Sequence, residues 1–112
     1  MTSIKSESKL MNDQIASHFA ESVRKGFGSH LKHLILFGSR ARGDFGEGSD
    51  FDFLIVLDKK SEEDADKIRK IEVDILNTYN ELAGSIVCDE NEWERLKSYP
   101  IGLNILKEGM RL

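Results

Sequence analysis

The sequence has little of several features that would assign it to a specialised class of protein. It has one cysteine, Cys88, in 112 residues, which excludes an internal disulfide and a cluster of metal-binding thiolates within one chain. One proline and nine glycines argue against a disordered or fibrous chain. The longest apolar run, residues 53–57, falls far short of the ~20 residues that a membrane span needs.

Two further absences concern targeting and charge. Residues 1–7 contain no apolar stretch of the kind found in a secretory signal peptide, so we expect a small cytoplasmic protein. Twenty acidic residues against sixteen basic ones give a net charge of −4, which argues against holding nucleic acid by basic charge. Modification of nucleic acid ends would need a basic face, and this composition does not indicate one.

Hydrophobic spacing predicts one compact domain over residues 12–112, preceded by a polar, frayed lead-in over residues 1–11. We predict a helix over about 13–27, strands over 33–37, 50–57 and 85–88, and a loop over 38–49 that holds a short helix after Gly38. Further helices are predicted from about 61 until Gly84 interrupts the pattern, then over 90–97 and 100–107. This order indicates an α/β (α+β) fold with a small mixed β-sheet flanked by helices, and we expect the functional site at one edge of that sheet.

Two carboxylates stand at the start of the second predicted strand. Asp50 and Asp52 are two residues apart, so their side chains leave the same face with Cα atoms roughly 7 Å apart. Like charges at this distance raise each other's pKa unless a cation lies between them. Carboxylate oxygens of this kind suit Mg²⁺, which also takes phosphate oxygens and water.

The loop before this strand has the composition of a phosphate-binding turn. Gly38 follows a strand directly and lets the backbone approach a ligand, and Ser39 adds a hydroxyl and an N–H at the start of a helix. Arg40 and Arg42 carry donors suited to phosphate, although either could instead pair with an acid of the same loop, Asp44 or Glu47. Ser49 is a candidate for ligand contact or for capping the turn before the strand.

These residues resemble a known signature. Gly38-Ser39, ten intervening residues and Asp50-x-Asp52 are similar to the motif of the DNA polymerase β-like nucleotidyltransferase superfamily, and residues 38–43 resemble its minimal nucleotidyltransferases. The resemblance covers about residues 30–112, including the closing helix. It implies the nucleotidyltransferase fold, with the triphosphate contacted by Gly38 and Ser39 and Mg²⁺ held by Asp50 and Asp52.

The resemblance also implies a third carboxylate, on the next strand, that helps to activate the acceptor hydroxyl. The predicted strand over 85–88 contains no acid, and Asp89 comes just after it. Two functions therefore stay open. One is transfer of a nucleoside monophosphate, AMP from ATP, to an acceptor hydroxyl on a partner protein. The other is a catalytically weak nucleotide-binding antitoxin that neutralises its partner by binding.

The partner that the resemblance implies is a small helical HEPN protein, as in toxin–antitoxin pairs. The acceptor, the base preference and the oligomeric state are not fixed by the sequence. The three histidines, His18, His30 and His33, have no metal-ligand spacing, so we expect surface or packing positions for them. Cys88 is predicted to be buried, and Trp93 is predicted to pack a helix onto the core, with exposure at a partner surface as the alternative.

Overall fold

The protein is described here by a computed structural model, which covers the backbone of residues 4–112 and the side chains of residues 9–112. Its elements in chain order are α1 (Ile4–Phe27), β1 (Leu31–Phe37), α2 (Ser39–Arg42), β2 (Phe51–Leu57), α3 (Asp64–Tyr79), β3 (Ala83–Asp89), α4 (Glu90–Leu96), α5 (Pro100–Glu108) and β4 (Met110–Arg111). The predicted mixed α/β fold class is confirmed.

The four strands form one mixed sheet in the order β3-β2-β1-β4. β1 pairs antiparallel with β2 and with β4, whereas β2 and β3 run parallel. β2 therefore lies inside the sheet, and its residues after Asp52 are apolar on both faces, which is typical of a covered central strand. All its residues except Asp52 are buried.

Each face of the sheet is covered by a different pair of helices. On one face, α1 and α3 pack on Phe51 and Phe53, and the ring of Phe19 stacks on that of Phe53 with centroids 3.7 Å apart. On the other face, α4 and α5 cover Leu54 and Val56 with the side chains of Trp93 and Ile105. The predicted core positions of Cys88 and Trp93 are confirmed. Because β-strand side chains alternate, Asp50 and Asp52 belong to the α4/α5 face.

The first helix begins earlier in the chain than the sequence predicted. α1 begins at Ile4 and runs through Asn12 and Asp13, so a frayed lead-in is wrong for residues 4–11, while residues 1–3 lie outside the described residues. Neither Asn12 nor Asp13 caps the helix. Asn12 is buried instead, and its Nδ2 donates to the Arg40 carbonyl at 3.4 Å, which gives a polar residue a tertiary partner in the middle of a helix.

Two other boundaries differ from the prediction. α3 ends at Tyr79 and not at Gly84, because Asn80 adopts the left-handed conformation (φ 56°) and its N–H donates to the Leu76 carbonyl at 2.8 Å. β4 was not predicted, since two residues are too short for any periodic signal. No helix in residues 4–112 is both long enough and apolar enough to cross a membrane.

Candidate functional site

The two carboxylates lie together at the start of β2. Asp50 is exposed just before the strand, and Asp52 is half-buried between Phe37 of β1 and Gly84 of β3. Burial raises the pKa of the Asp52 carboxyl, the charge of Asp50 raises it further, and that of Arg42 opposes the shift. Among residues 9–112, no side chain or backbone group donates a hydrogen bond to either carboxylate. An acid pair left in this state favours a bound cation.

Gly38 packs directly against this acid pair. It follows β1 with φ 74° and ψ −160°, a conformation essentially restricted to glycine. A Cβ atom added at Gly38 would collide with the carboxylate of Asp52. The glycine is therefore required both by the turn and by the close approach of the backbone to the acid.

The predicted short helix after Gly38 is present as α2. It is closed by hydrogen bonds from the N–H groups of Ala41 and Arg42 to the Gly38 carbonyl, both at 3.1 Å. The first N–H groups of a helix have no acceptor within it, so those of Ser39 and Arg40 are available to an anion. These donors directly follow Gly38, the residue that packs against Asp52.

Arg40, a predicted phosphate contact, is occupied by the protein itself. Its guanidinium donates to the Ser49 carbonyl at 2.8 and 3.2 Å and to Glu81 at 3.1 Å. It lies 4.4 Å from the ring centroids of both Phe45 and Phe51, and the residue is 7% exposed. This arrangement favours the pairing alternative, although with Glu81 in place of the loop acids, because a buried guanidinium needs its charge balanced. Arg40 thus fastens the loop to the start of β2.

Arg42 has the opposite environment, although it is only two residues away. Its guanidinium is exposed and lies between Asp44, at 3.1 Å, and Glu108, at 2.9 Å. The hydrogen bonds that Arg42 donates to these carboxylates raise its pKa, with the larger effect from Glu108 and the smaller from Asp44. The predicted pairing with Asp44 is present, and the side chain also faces the acid pair closely enough to lower the pKa of Asp52.

Ser49 caps the turn before β2. Its hydroxyl accepts from the Gly46 N–H at 3.0 Å, and its own N–H donates to the Gly46 carbonyl at 3.2 Å. The capping alternative therefore describes its position, while ligand contact by Ser49 stays a prediction.

The neighbouring strand carries no acid beside Asp52. The residue in register with Asp52 is Gly84, and a Cβ added there would meet no atom within 4 Å. Asp89 pairs with Leu57 at the other end of β2, roughly 16 Å along the strand from Gly84. Asp89 is therefore excluded as the third carboxylate. It begins α4, where it and Glu92 accept each other's backbone N–H at 2.8 and 3.0 Å.

The acid pair has the chemistry of a partial magnesium site. Within the described residues, no group of three or more His, Cys, Asp or Glu side chains is arranged to hold a metal. Mg²⁺ commonly takes one or two carboxylates and completes its shell with water and phosphate oxygens. Asp50, Asp52 and the open turn at Gly38 fit that pattern, in which a phosphate ligand supplies the remaining oxygens.

Sequence reasoning missed two acids at this end of the sheet, Glu81 and Glu108. Both act through arginines that are distant in the chain, 41 residues for Arg40–Glu81 and 66 for Arg42–Glu108. The short segment between α3 and β3, residues 80–82, contains no pattern that indicates pairing of Glu81 with Arg40. Glu108 lies in the closing helix that the resemblance includes, but nothing in that helix indicates its pairing with Arg42.

Comparison with known proteins gives consistent matches. The sequence profile of a family described as the nucleotidyltransferase domain matches residues 17–103. A protein of Methanocaldococcus jannaschii, named for a proposed protein adenylyltransferase activity, is 33% identical over 100 residues, which covers 88% of this chain and 96% of that protein.

Solved structures share the fold. A proposed nucleotidyltransferase from Sulfolobus solfataricus superposes with a TM-score of 0.63 at 25% identity, covering 99% of this chain and 87% of its own. A structure described as a toxin–antitoxin with AMP-PNP gives a TM-score of 0.60 at 14% identity, covering 86% of this chain and 70% of that one. The second likeness, at this identity, concerns the fold alone.

Proposed function

The chain belongs to the nucleotidyltransferase domain family, and is therefore a transferase of phosphorus-containing groups; on that premise we propose that it moves AMP from ATP, with Mg²⁺, to a hydroxyl of a partner protein. The observation that carries this proposal is the pair Asp50 and Asp52, without hydrogen-bond donors among residues 9–112 and packed against the Gly38 turn.

Each residue of the site has a separate task in this proposal. Asp50 and Asp52 would hold Mg²⁺, which when bound neutralises the triphosphate and polarises its phosphorus–oxygen bonds. Gly38 leaves room for the triphosphate beside the acids, and the N–H and hydroxyl of Ser39 would bind its oxygens. Arg42 would exchange one of its carboxylates, Asp44 or Glu108, for a phosphate oxygen.

The choice of ATP as the donor and of a protein as the acceptor is supported by the names of two relatives. The Methanocaldococcus jannaschii protein is named for protein adenylylation, and the toxin–antitoxin structure is described with AMP-PNP, an ATP analogue. Both favour ATP as donor, and the first favours a protein acceptor. The toxin–antitoxin description, together with the resemblance to minimal nucleotidyltransferases, favours a HEPN-type toxin as partner. The buried free thiol of Cys88 suits a reducing cytoplasm.

The test is transfer of label from ATP labelled at its α-phosphate to a co-purified partner. We expect Asp50→Asn with Asp52→Asn to abolish the label and to abolish Mg²⁺-dependent ATP binding. The matched control is Glu62→Gln with Glu63→Gln, which removes the same charge from two exposed residues before α3. Undiminished labelling in the Asp double variant would refute the mechanism.

The alternative is an antitoxin that acts by binding alone. One observation favours it, which is that Gly84 stands beside Asp52, at the position from which a carboxylate would activate an acceptor. EDTA separates the two functions. If the partner stays neutralised without metal and its mass is unchanged, binding is the function; if neutralisation needs metal and adds the mass of AMP, transfer is.

A further inference from the structure

A second cluster of titratable side chains lies between α1 and α3, on the sheet face opposite the acid pair. His18 Nε2 lies 2.8 Å from an Asp74 carboxylate oxygen, and His18 Nδ1 lies 2.8 Å from the Tyr79 hydroxyl. The imidazole and phenol rings meet edge-to-face, with centroids 5.3 Å apart and planes at 80°. Histidine is thus held by both of its ring nitrogens.

The partners determine which nitrogen carries the proton in the neutral imidazole. An ionised Asp74 can only accept, so Nε2 carries the hydrogen and donates it. Nδ1 is then the acceptor for the Tyr79 O–H. This is the order of groups that activates a hydroxyl, in which a carboxylate orients a histidine and the histidine accepts the proton of the nucleophile.

The cluster is open to solvent. Tyr79 and His18 line a cleft of about 410 Å³ together with Gln14, Ser17, Glu21, Ser22 and Lys25. The side chains of His18 and Asp74 are 31% and 53% exposed. A second molecule can therefore reach the hydroxyl without unfolding either helix.

We infer that Tyr79 is an acceptor of AMP, delivered by the nucleotide site of a second copy of this chain; the inference rests on the proposed transferase function. The site beside Asp52 lacks a carboxylate that would activate an acceptor, whereas Tyr79 brings its own base. Transfer within one molecule is excluded by the fold, because Tyr79 packs with the α1/α3 cluster and Asp52 lies on the other face of the sheet.

The step balances without another reactant. Tyr79 Oη forms a bond to the α-phosphorus of ATP, and the bond from that phosphorus to the oxygen bridging the β-phosphate breaks. The phenolic proton passes to His18 Nδ1, and pyrophosphate leaves with the electron pair of the broken bond. His18 then returns its proton to solvent.

The chain supplies its own control, because it has two tyrosines. Tyr99 is 61% exposed, and its hydroxyl has no hydrogen-bond partner among residues 9–112. If exposure alone decided which tyrosine reacts, Tyr99 would be labelled. If the built-in base decides, the less exposed Tyr79 is labelled.

The experiment incubates the purified full chain with ATP labelled at the α-phosphate and Mg²⁺. We expect label on the wild type and on Tyr99→Phe, and at least tenfold less on Tyr79→Phe. His18→Gln keeps the hydroxyl and removes the base, so we expect about 100-fold slower labelling. Circular dichroism checks that each variant is folded. Equal labelling of Tyr79→Phe and the wild type, or of His18→Gln and the wild type, would overturn the inference.

A mixing experiment tests transfer between copies. An Asp50→Asn, Asp52→Asn chain with a size tag is mixed with the untagged Tyr79→Phe chain, and we expect label only on the tagged chain. Its absence there overturns the inference. ATP binding distinguishes the two levels of failure: a wild type that binds ATP with Mg²⁺ and labels no tyrosine refutes the acceptor assignment alone, whereas one that does not bind ATP refutes the proposed function as well.

Discussion

The acidic side chains at the two ends of β2 differ in whether they have hydrogen-bond partners. At the site end, Asp50 and Asp52 receive no hydrogen bond from any group among residues 9–112. At the far end, Asp89 accepts the Glu92 N–H at 2.8 Å, and Asp58 binds His30 at 2.9 Å. The far-end acids are paired with groups of the protein, whereas the site-end acids repel each other, and a bound cation would relieve that repulsion.

This difference shows that a carboxylate is free to bind a cation when no hydrogen-bond donor surrounds it, whatever its place in a strand. The pKa values of two of these acids differ in the same way. A hydrogen bond from His30 lowers the pKa of Asp58, and burial raises that of Asp52. Substitutions at the two ends of β2 can therefore be compared for their effects on transfer and on stability.

The largest expected effect is on stability at the site end. Arg40→Met removes a buried charge and leaves the Ser49 carbonyl and Glu81 without their donor, so we expect a loss of about 3 kcal/mol in the free energy of unfolding. Urea denaturation measures it. The matched control is Arg42→Gln, whose solvent-exposed ion pairs contribute little to stability, and which should weaken ATP binding instead. A reversed pattern would return Arg40 to the role of phosphate contact.

The second-largest effect is expected at Gly38, in the turn that packs against Asp52. Gly38→Ala forces a Cβ into the carboxylate at a positive φ, which displaces the acid pair. A displacement of about 1 Å costs roughly 100-fold in transfer rate. Steady-state labelling of the partner measures it, with Gly46→Ala as control, because that glycine has open space and no positive φ. Equal rates for the two variants would contradict the role of Gly38.

A smaller effect is expected at the far end. Asp89→Ala removes the acceptor that begins α4, which should lower the free energy of unfolding by about 1 kcal/mol. Transfer to the partner should be unchanged, since Asp89 is separated from the acid pair by the length of β2. Loss of transfer in a folded Asp89→Ala protein would show that the two ends are coupled.

The smallest effect concerns Cys88, which is also near the far end. Burial raises the pKa of its thiol to about 11, so at pH 8 the thiol stays protonated and only about one molecule in a thousand carries a thiolate. We expect slow reaction with iodoacetamide in the folded protein and rapid reaction in denaturant. Reaction in the folded state should accelerate as pH rises towards 11. Rapid labelling at pH 8 would show that this end opens readily.

Much of the site could be predicted because its parts are close in sequence. Alternation along a strand places Asp50 and Asp52 on one face, and a glycine directly after a strand marks the turn at Gly38. The roles of Arg40 and Asp89 could not be predicted in this way. Both depend on which groups face them across the sheet or at the start of the next helix.

The sequence by itself determined the acid pair, the turn and three of the four strands, because period and local backbone geometry act over a few residues. Only the tertiary structure decided which charges stay free. Arg40 meets Glu81 from 41 residues away, Arg42 meets Glu108 from 66, and His18 meets Asp74 from 56. Coulombic and hydrogen-bond partners act through space over a few ångströms, so the packing of the elements assigns them and local sequence pattern does not.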